Sequence, residues 1–455
     1  MTATNILGQT RLACGSPRDA IELFGRSVAL GARLGPSVGL LVGEAWFGLC
    51  EAHDENGDFE ALAVAVDRAR AVVAELGPDH RLRVDVTYWE AILAATSGRL
   101  AETERALERA LAIAKQGSTH DDAMELKVRH TLGAVYRAQQ RYGDAEAILE
   151  SLLPEVGKRL GSRHERYALT LQGLARVRRM QGRLSEAEAL LYEALEGIQR
   201  SRGREAVATA AVLNDLGLVV SDLGRSDEAR AYFVQALEIA QRLLPWAHSV
   251  VGHYVNNLAS LFCDRGLYSD AEPLHRRALE IHKAIHGTRS PQVALALNNV
   301  AHCVAWQGRF LEANALYEDA LETVNSSAEV NLDILALVLS NLGDLKAAEG
   351  DVTAAERHYR RAIEVRNSFQ GPDIPDLVWP LRRLADLRVI RHDLDDAERC
   401  LQRAMAICKT AKQRYDGILD DLAALYGRRG MRSQAEAFAA QAQAQRTALP
   451  NRQSN

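Results

Sequence analysis

Gly308-Arg-Phe-Leu-Glu-Ala313, followed seven residues later by Ala320, is the stretch whose recurrence decides the fold. Aligning the chain on its glycine places turns at Gly15, Gly57, Gly98, Gln140, Gly182, Gly224, Gly266, Gly308, Gly350, His392 and Gly430. The spacing is 42 residues, with one interval of 41 and a last one of 38. A period of this length over nearly the whole chain is the signature of a stacked repeat rather than of separate globular domains.

Two residue columns travel with the turn. Five residues after it stands alanine in nine of eleven copies, from Ala20 to Ala435, with Leu62 and Thr103 as exceptions. Seven residues before it the residue is always small, as in Gly8, Cys50, Ala91, Gly133, Ala175, Gly217, Ala301 and Gly343. Small side chains let two helix backbones approach closely, so these columns mark the crossing of an antiparallel pair. The glycine ends the first helix, and capping boxes (Ser185 with Glu188, Ser269 with Glu272, Thr353 with Glu356, Asp395 with Glu398) predict the start of the second. The third copy departs from the pattern: Glu90 and Trp89 precede its small residue, which predicts a rotated or kinked first helix.

These columns resemble the tetratricopeptide repeat. The 42-residue period, with Leu297-Asn-Asn-Val-Ala301 and Gly287-Thr-Arg-Ser-Pro291, is similar to the longer kinesin-light-chain type. The resemblance implies an all-α, right-handed α-solenoid superhelix of about eleven hairpins. First helices (A) would line a concave groove and second helices (B) the outer wall. Because each hairpin needs only its neighbours, residues 1–448 are expected to form one continuous array, with the tail 449–455 frayed.

Composition agrees with an ordered chain. Hydrophobic residues make up 47% and charged residues 25% of the sequence, and no apolar run is long enough to span a membrane. The start, Met1-Thr-Ala-Thr-Asn-Ile-Leu-Gly8, does not read as a secretory signal, so a cytoplasmic location is expected. Net charge of −5 with mixed signs points to neither nucleic acid nor an anionic membrane as partner. Arginine outnumbers lysine, as in proteins of GC-rich, typically bacterial genomes. The six cysteines (Cys14, Cys50, Cys263, Cys303, Cys400, Cys408) form no C-x-x-C pair and read as small core residues.

Phosphate loop, dinucleotide fingerprint, zinc HExxH and nucleophile elbow are all absent from the sequence, so no enzyme and no cofactor is expected. The best metal candidate, His275 with His282 and His286, lacks a third ligand at suitable spacing. The adjacent pair His302-Cys303 points in two directions on a helix, so no metal is expected either.

In the tetratricopeptide pattern the groove-facing residues lie 13, 10, 9, 6, 3 and 2 positions before the turn. The resemblance therefore nominates a zoned peptide-binding surface. Glu44, Glu51, Asp54 and Glu55 make an acidic entrance, followed by Tyr88 and Trp89. Lys127, His130, Arg137, Arg176 and Arg179 form a basic zone. Asn214, Asn256, Asn257, Asn298, Asn299 and Asn341 form an amide ladder with Asp215 among them, and Trp379, Arg382 and Arg383 return the charge. His302 and Trp306 share this face, with Leu169, Met180, Leu295 and Leu337 as apolar candidates.

An asparagine amide offers donor and acceptor together and so can pair with a foreign backbone. Asparagine also belongs to the general repeat pattern, so the ladder reads either as a clamp or as a link to the next repeat. The leading expectation is a non-catalytic scaffold binding an extended, acidic segment of another protein, with self-association through the terminal hairpin also open. A peptide or small-molecule sensor that changes curvature is the second reading. An unrecognised enzyme, using His130 with Arg176 or Asp344 with His302, is the third.

Overall fold

The computed structural model describes residues 1–13, 16–75, 80, 82–115, 122–327, 330–371, 373–411 and 413–447. The Gly15 turn, Cys14, the connections at Gly77-Pro78-Asp79 and Gly117-Ser118-Thr119, and the tail 449–455 lie outside the described residues. Among those described there are 22 α-helices and no strand.

The chain forms two compact units, Met1–Leu261 and Phe262–Asn455. Unit 1 holds the pairs α1 (Thr2–Ala13) and α2 (Pro17–Leu34), α3 (Gly39–Asn56) and α4 (Phe59–Glu75), α5 (Arg83–Thr96) and α6 (Leu100–Lys115), α7 (Asp122–Ala138) and α8 (Tyr142–Leu160), α9 (Glu165–Met180) and α10 (Leu184–Arg202), and α11 (Val207–Asp222) and α12 (Ser226–Leu243). The boundary falls inside α13 (Ser249–Asp264). Unit 2 continues with α14 (Tyr268–His286), α15 (Pro291–Trp306), α16 (Phe310–Asn325), α17 (Leu332–Ala348), α18 (Val352–Gln370), α19 (Val378–Ile390), α20 (Leu394–Thr410), α21 (Asp416–Arg428) and α22 (Arg432–Thr447).

Each described turn closes the first helix of its pair with a left-handed residue. At Gly308 (φ 78°) the glycine N–H donates to the Ala305 carbonyl and the Arg309 N–H to that of Val304, which satisfies two carbonyls the helix end leaves free. Gln140 (φ 61°) and His392 (φ 63°) adopt the same conformation with a Cβ, at a steric cost glycine avoids.

The small column does what its residue types imply. A Cβ built on Gly217 would stand 2.6 Å from Phe233 Cε1, and one on Gly343 2.6 Å from Tyr359 Cε1. Larger residues nine positions after the turn thus fill the space the small residue leaves. In the third pair, Trp89 is buried and Glu90 bonds Arg70 of α4 at 2.9 Å.

The capping boxes are corrected by the structure. α10 and α14 begin at Leu184 and Tyr268, so Ser185 and Ser269 sit inside the first turn rather than capping it. Asp351 and Asp393 cap α18 and α20, accepting from the Ala354 and Asp396 N–H groups. The glutamate six residues after the turn has another task in four hairpins. Glu104, Glu146, Glu188 and Glu272 each accept from the arginine just after the next turn (Arg141, Arg183, Arg225, Arg309) at 2.7, 2.9, 2.8 and 2.8 Å. Gln139, Gln181 and Gln307 donate to the same carboxylates in three of the four cases. A clasp of this kind joins the second helix of one hairpin to the turn of the next.

The crossing yields a direct test. Gly217→Ala should lower stability by about 1–3 kcal/mol through overpacking. Adding Phe233→Leu, which recreates the Ala175 and Leu191 combination of the preceding hairpin, should recover most of it in urea unfolding.

Candidate functional site

The first helices of unit 1 bring three of the predicted arginines together and set Lys127 on the predicted aromatic pair. From α7, the Lys127 ammonium lies 4.7 Å from the Tyr88 ring centroid and 5.0 Å from that of Trp89, a cation–π arrangement. Arg137, in the last turn of α7, lines a cleft of about 240 Å³ with Arg176, Arg179, Met180, Asp215 and Leu218. Arg176 Nε donates to Asp215 Oδ2 at 2.7 Å, where Gln172 also donates at 2.6 Å. Arg179 Nε pairs with Asp222 at 2.6 Å.

Arg137 differs from both neighbours. Its guanidinium has no ion-pair or hydrogen-bond partner among the described residues, and burial first, then the charge of Arg176, lowers its pKa. His130 is pushed down to about 4 by burial, with Arg166 and Arg176 adding to the effect. It is therefore a neutral ring at pH 7. Arg166 was not foreseen; its place ten residues before Arg176 on α9 lies outside the six columns of the repeat pattern. It is half-buried in the same zone and burial lowers its pKa.

The acidic entrance is carried by α3. Burial raises Asp54 to about 6 and Glu55 to about 7, with Glu51 adding to both and Lys127 opposing the shift of Asp54. His248, in the connection before α13, bonds the Glu55 carbonyl through Nε2 at 3.0 Å and accepts the Val250 N–H on Nδ1 at 3.1 Å. These bonds define the tautomer: Nε2 carries the proton. The bond to Glu55 joins residues 193 apart, so within unit 1 the chain curls until the start of its seventh first helix meets the end of its second. The sequence reading missed this contact because His248 lies outside every column of the repeat.

The amide ladder bonds to itself. Asn257 Nδ2 donates to Asn214 Oδ1 at 2.9 Å, and Asn341 Nδ2 to Asn298 Oδ1 at 2.8 Å. Asn298 donates in turn to Asn299 at 3.3 Å, and Asn256 and Asn299 have further interactions. The same separation of 43 residues, one period plus one, links Gln172 to Asp215, Arg179 to Asp222 and Tyr88 to Thr131. Adjacent first helices are thus linked edge to edge along this face.

In unit 2 the predicted residues are largely spent on one another. Arg382 pairs with Asp421 at 2.6 Å. Arg383 lies 4.4 Å over the Trp379 ring and 3.3 Å from Asp344, which also accepts from Trp379 and Tyr359. Trp306 remains 63% exposed, stacks on Tyr268 with centroids 5.5 Å apart, and donates to His302 Nε2 at 3.0 Å.

Cys50, Cys303 and Cys408 are buried as expected of small core residues, but Cys263 is half-exposed and belongs to a cluster. Cys263 Sγ lies 3.1 Å from Cys303 Sγ and 3.7 Å from His275 Nε2, and the three ligand atoms are all within 4.8 Å of one another. His275 therefore faces sulfur, whereas His282 and His286 stack on each other. Raw spacing concealed the cluster, because Cys263 and Cys303 lie 40 residues apart in consecutive first helices. The signal available was the register: His275 occupies the column filled by Phe233 and Tyr317 in the adjacent copies.

The Tetratricopeptide repeat family matches residues 125–198, 166–242, 252–326 and 334–410, more than half of the chain. The chain belongs to that family, and its helices stack as consecutive hairpins with turns that recur every 42 residues through most of the sequence. No curated protein matches the chain. Among solved structures it is similar to BtubC (BKLC) from P. vanneervenii, with 24% identity, a TM-score of 0.43, and coverage of 55% of this chain and 94% of that one. A Podosopora anserina kinesin light chain with nearly identical TPR-like repeats has 21% identity and a TM-score of 0.39, covering 44% and 93%. A Rap protein solved in complex with Competence and Sporulation Factor has 13% identity and a TM-score of 0.51, covering 77% and 99%. No described helix is long and apolar enough to cross a membrane.

The acidic entrance predicts a pH dependence. With its pKa raised by burial, folded Asp54 holds a proton that the unfolded chain has released, so its contribution to stability falls as pH rises from about 4 to about 6. Asp54→Asn should therefore be more stable than the parent by about 1–2 kcal/mol at about pH 8, with no advantage at about pH 4, as read from urea midpoints.

Proposed function

We propose that the protein is a non-catalytic interaction scaffold whose unit 1 takes an extended, acidic segment of a partner protein against the basic zone of α7 and α9. The observation that carries this reading is the unpartnered Arg137 guanidinium in a cleft beside Arg176 and Arg179. An arginine in such a place is destabilised by its neighbours' charge until an anion arrives. A carboxylate or phosphate accepts its forked donors in bidentate fashion. Met180, half-exposed on the rim, gives an adjacent apolar contact, which ion pairing alone would need in order to reach micromolar affinity.

The asparagines belong to this proposal in a reduced role. Asn214 with Asn257, and Asn298 with Asn341, would have to exchange an existing amide bond for one to the ligand backbone. Such an exchange contributes little net free energy. Specificity in this reading rests on charge.

The contact of His248 with Glu55 favours a second reading, in which the curled unit 1 acts as a sensor that a bound peptide or small molecule tightens or loosens. Hydrogen exchange at the Val250 amide, followed with and without the probe below, distinguishes the two. A change marks a sensor, and an unaltered rate marks a passive scaffold.

The test uses a fluorescein-labelled peptide of alternating Glu and Leu, with a Lys and Leu counterpart as control. Anisotropy should report binding of the acidic peptide only, weakening with salt. Arg137→Glu should weaken it by at least about tenfold, while Arg18→Glu, at an exposed position of α2, should leave it unchanged. Equal binding by the Arg137 and Arg18 variants would remove the proposal.

A further inference from the structure

We propose that Cys263, His275 and Cys303 form a zinc site in unit 2, with His302 as a positioning residue that hydrogen-bonds the Cys263 sulfur. The three ligands come from consecutive elements: Cys263 from the end of α13, His275 from α14, and Cys303 from α15.

The internal repetition of the chain supplies its own comparison. Nine residues after the turn, where this hairpin has His275, the other hairpins carry Phe24, Leu191, Phe233, Tyr317, Tyr359 or another apolar residue. Five residues before the turn, where α15 has Cys303, the neighbouring copies carry Val219, Leu261 and Leu345. Three before it, Cys263 stands where other copies have Ala95, Ala305 or Ala347. All three columns thus carry a metal-ligating side chain at this junction, where the stacking brings them into contact. Replacing a core Leu or Phe by histidine costs stability when nothing bonds the ring. His275 is only 3% exposed, with Nε2 toward the Cys263 sulfur and Nδ1 without a partner, so a ligand at Nε2 compensates for its burial.

Distances and donor chemistry agree on the metal. Zn–S bonds of about 2.3 Å and a Zn–N bond of about 2.0 Å at tetrahedral angles place sulfur and nitrogen roughly 3.6 Å apart and the two sulfurs roughly 3.8 Å apart. The observed Cys263 to His275 distance is 3.7 Å, and the sulfurs, at 3.1 Å, need only open slightly. Two thiolates and an imidazole select zinc over magnesium or calcium, which prefer oxygen.

His302 completes the surroundings. Its Nε2 accepts the Trp306 indole N–H, and its ring lies within hydrogen-bonding reach of the Cys263 sulfur. Nδ1–H is then the donor that orients the thiolate, as outer-shell partners do. A set of three protein ligands leaves one coordination position, and Cys263, the half-exposed member, is where solvent reaches it.

The experiment uses the full chain, reduced and freed of metal by a chelator, then titrated with Co²⁺ and Zn²⁺ without oxygen. One Zn²⁺ per chain should survive gel filtration. Co²⁺ should give a thiolate charge-transfer band and tetrahedral d–d bands that Zn²⁺ bleaches, and Mg²⁺ should give neither. Cys263→Ala, Cys303→Val and His275→Leu each restore a residue found in the same column of other hairpins, so the helical signal should persist while zinc affinity drops by at least about 100-fold. His302→Gln should weaken zinc binding by about 10–100-fold and shift the charge-transfer band. The proposal is overturned if the reduced protein retains no stoichiometric metal, if the triple variant gives the same cobalt spectrum, or if the two cysteines are recovered as a disulfide that, once reduced, takes up no metal. An unchanged affinity in His302→Gln would remove His302 from the site.

Discussion

The approach of two helices at a residue too small to keep them apart is the constraint on which everything else rests. Gly217 under Phe233 and Gly343 under Tyr359 leave no room for a Cβ, so the pair can cross in only one register. That register sets which residues face the next hairpin. Once it is set, 42 residues of chain suffice to repeat the whole environment, and each copy reproduces both its packing partners and its exposed edge.

Electrostatics then bind copy to copy. After four of the turns an arginine (Arg141, Arg183, Arg225, Arg309) bridges the glutamate of the preceding hairpin and an acidic residue of its own helix, as Arg183 does between Glu146 and Glu186. A lysine could reach either carboxylate, but its point charge lacks the planar fork that holds both. Exposed pairs of this kind are individually weak. Recurring at four consecutive or near-consecutive junctions, with a glutamine on the same carboxylate in three, they act as a network and give the arginine-rich composition a structural use.

The fold was legible because its signals are columns: glycine, alanine and small residues recur at fixed offsets, and only a hairpin stack makes sense of them. The helix starts were less legible. Ser185 and Glu188 satisfy the capping-box spelling, yet Glu188 is engaged by Arg225 from the following turn, an interaction that local sequence does not contain. The site was legible in its residues but not in their pairings. Arg137, Arg176 and Arg179 do gather, while Lys127 sits over Tyr88 and Trp89; which arginine keeps a free fork depends on Asp215 and Asp222 of the following first helix. Asn214 and Asn257 read equally well as a clamp or as a link until their amides are placed together. Cys263, His275 and Cys303 escaped because ligand spacing was sought along one helix, whereas the repeat brings residues together across three.

The bond between His248 and Glu55 has a mechanical meaning for unit 1. A stack held only by adjacent hairpins flexes as an open spring does, each joint yielding independently of the rest. Fastening one coil to another removes that independence: a change of angle at any joint between α3 and α13 must be absorbed by the others or must break the fastening. Stiffness there becomes a shared property of the coil.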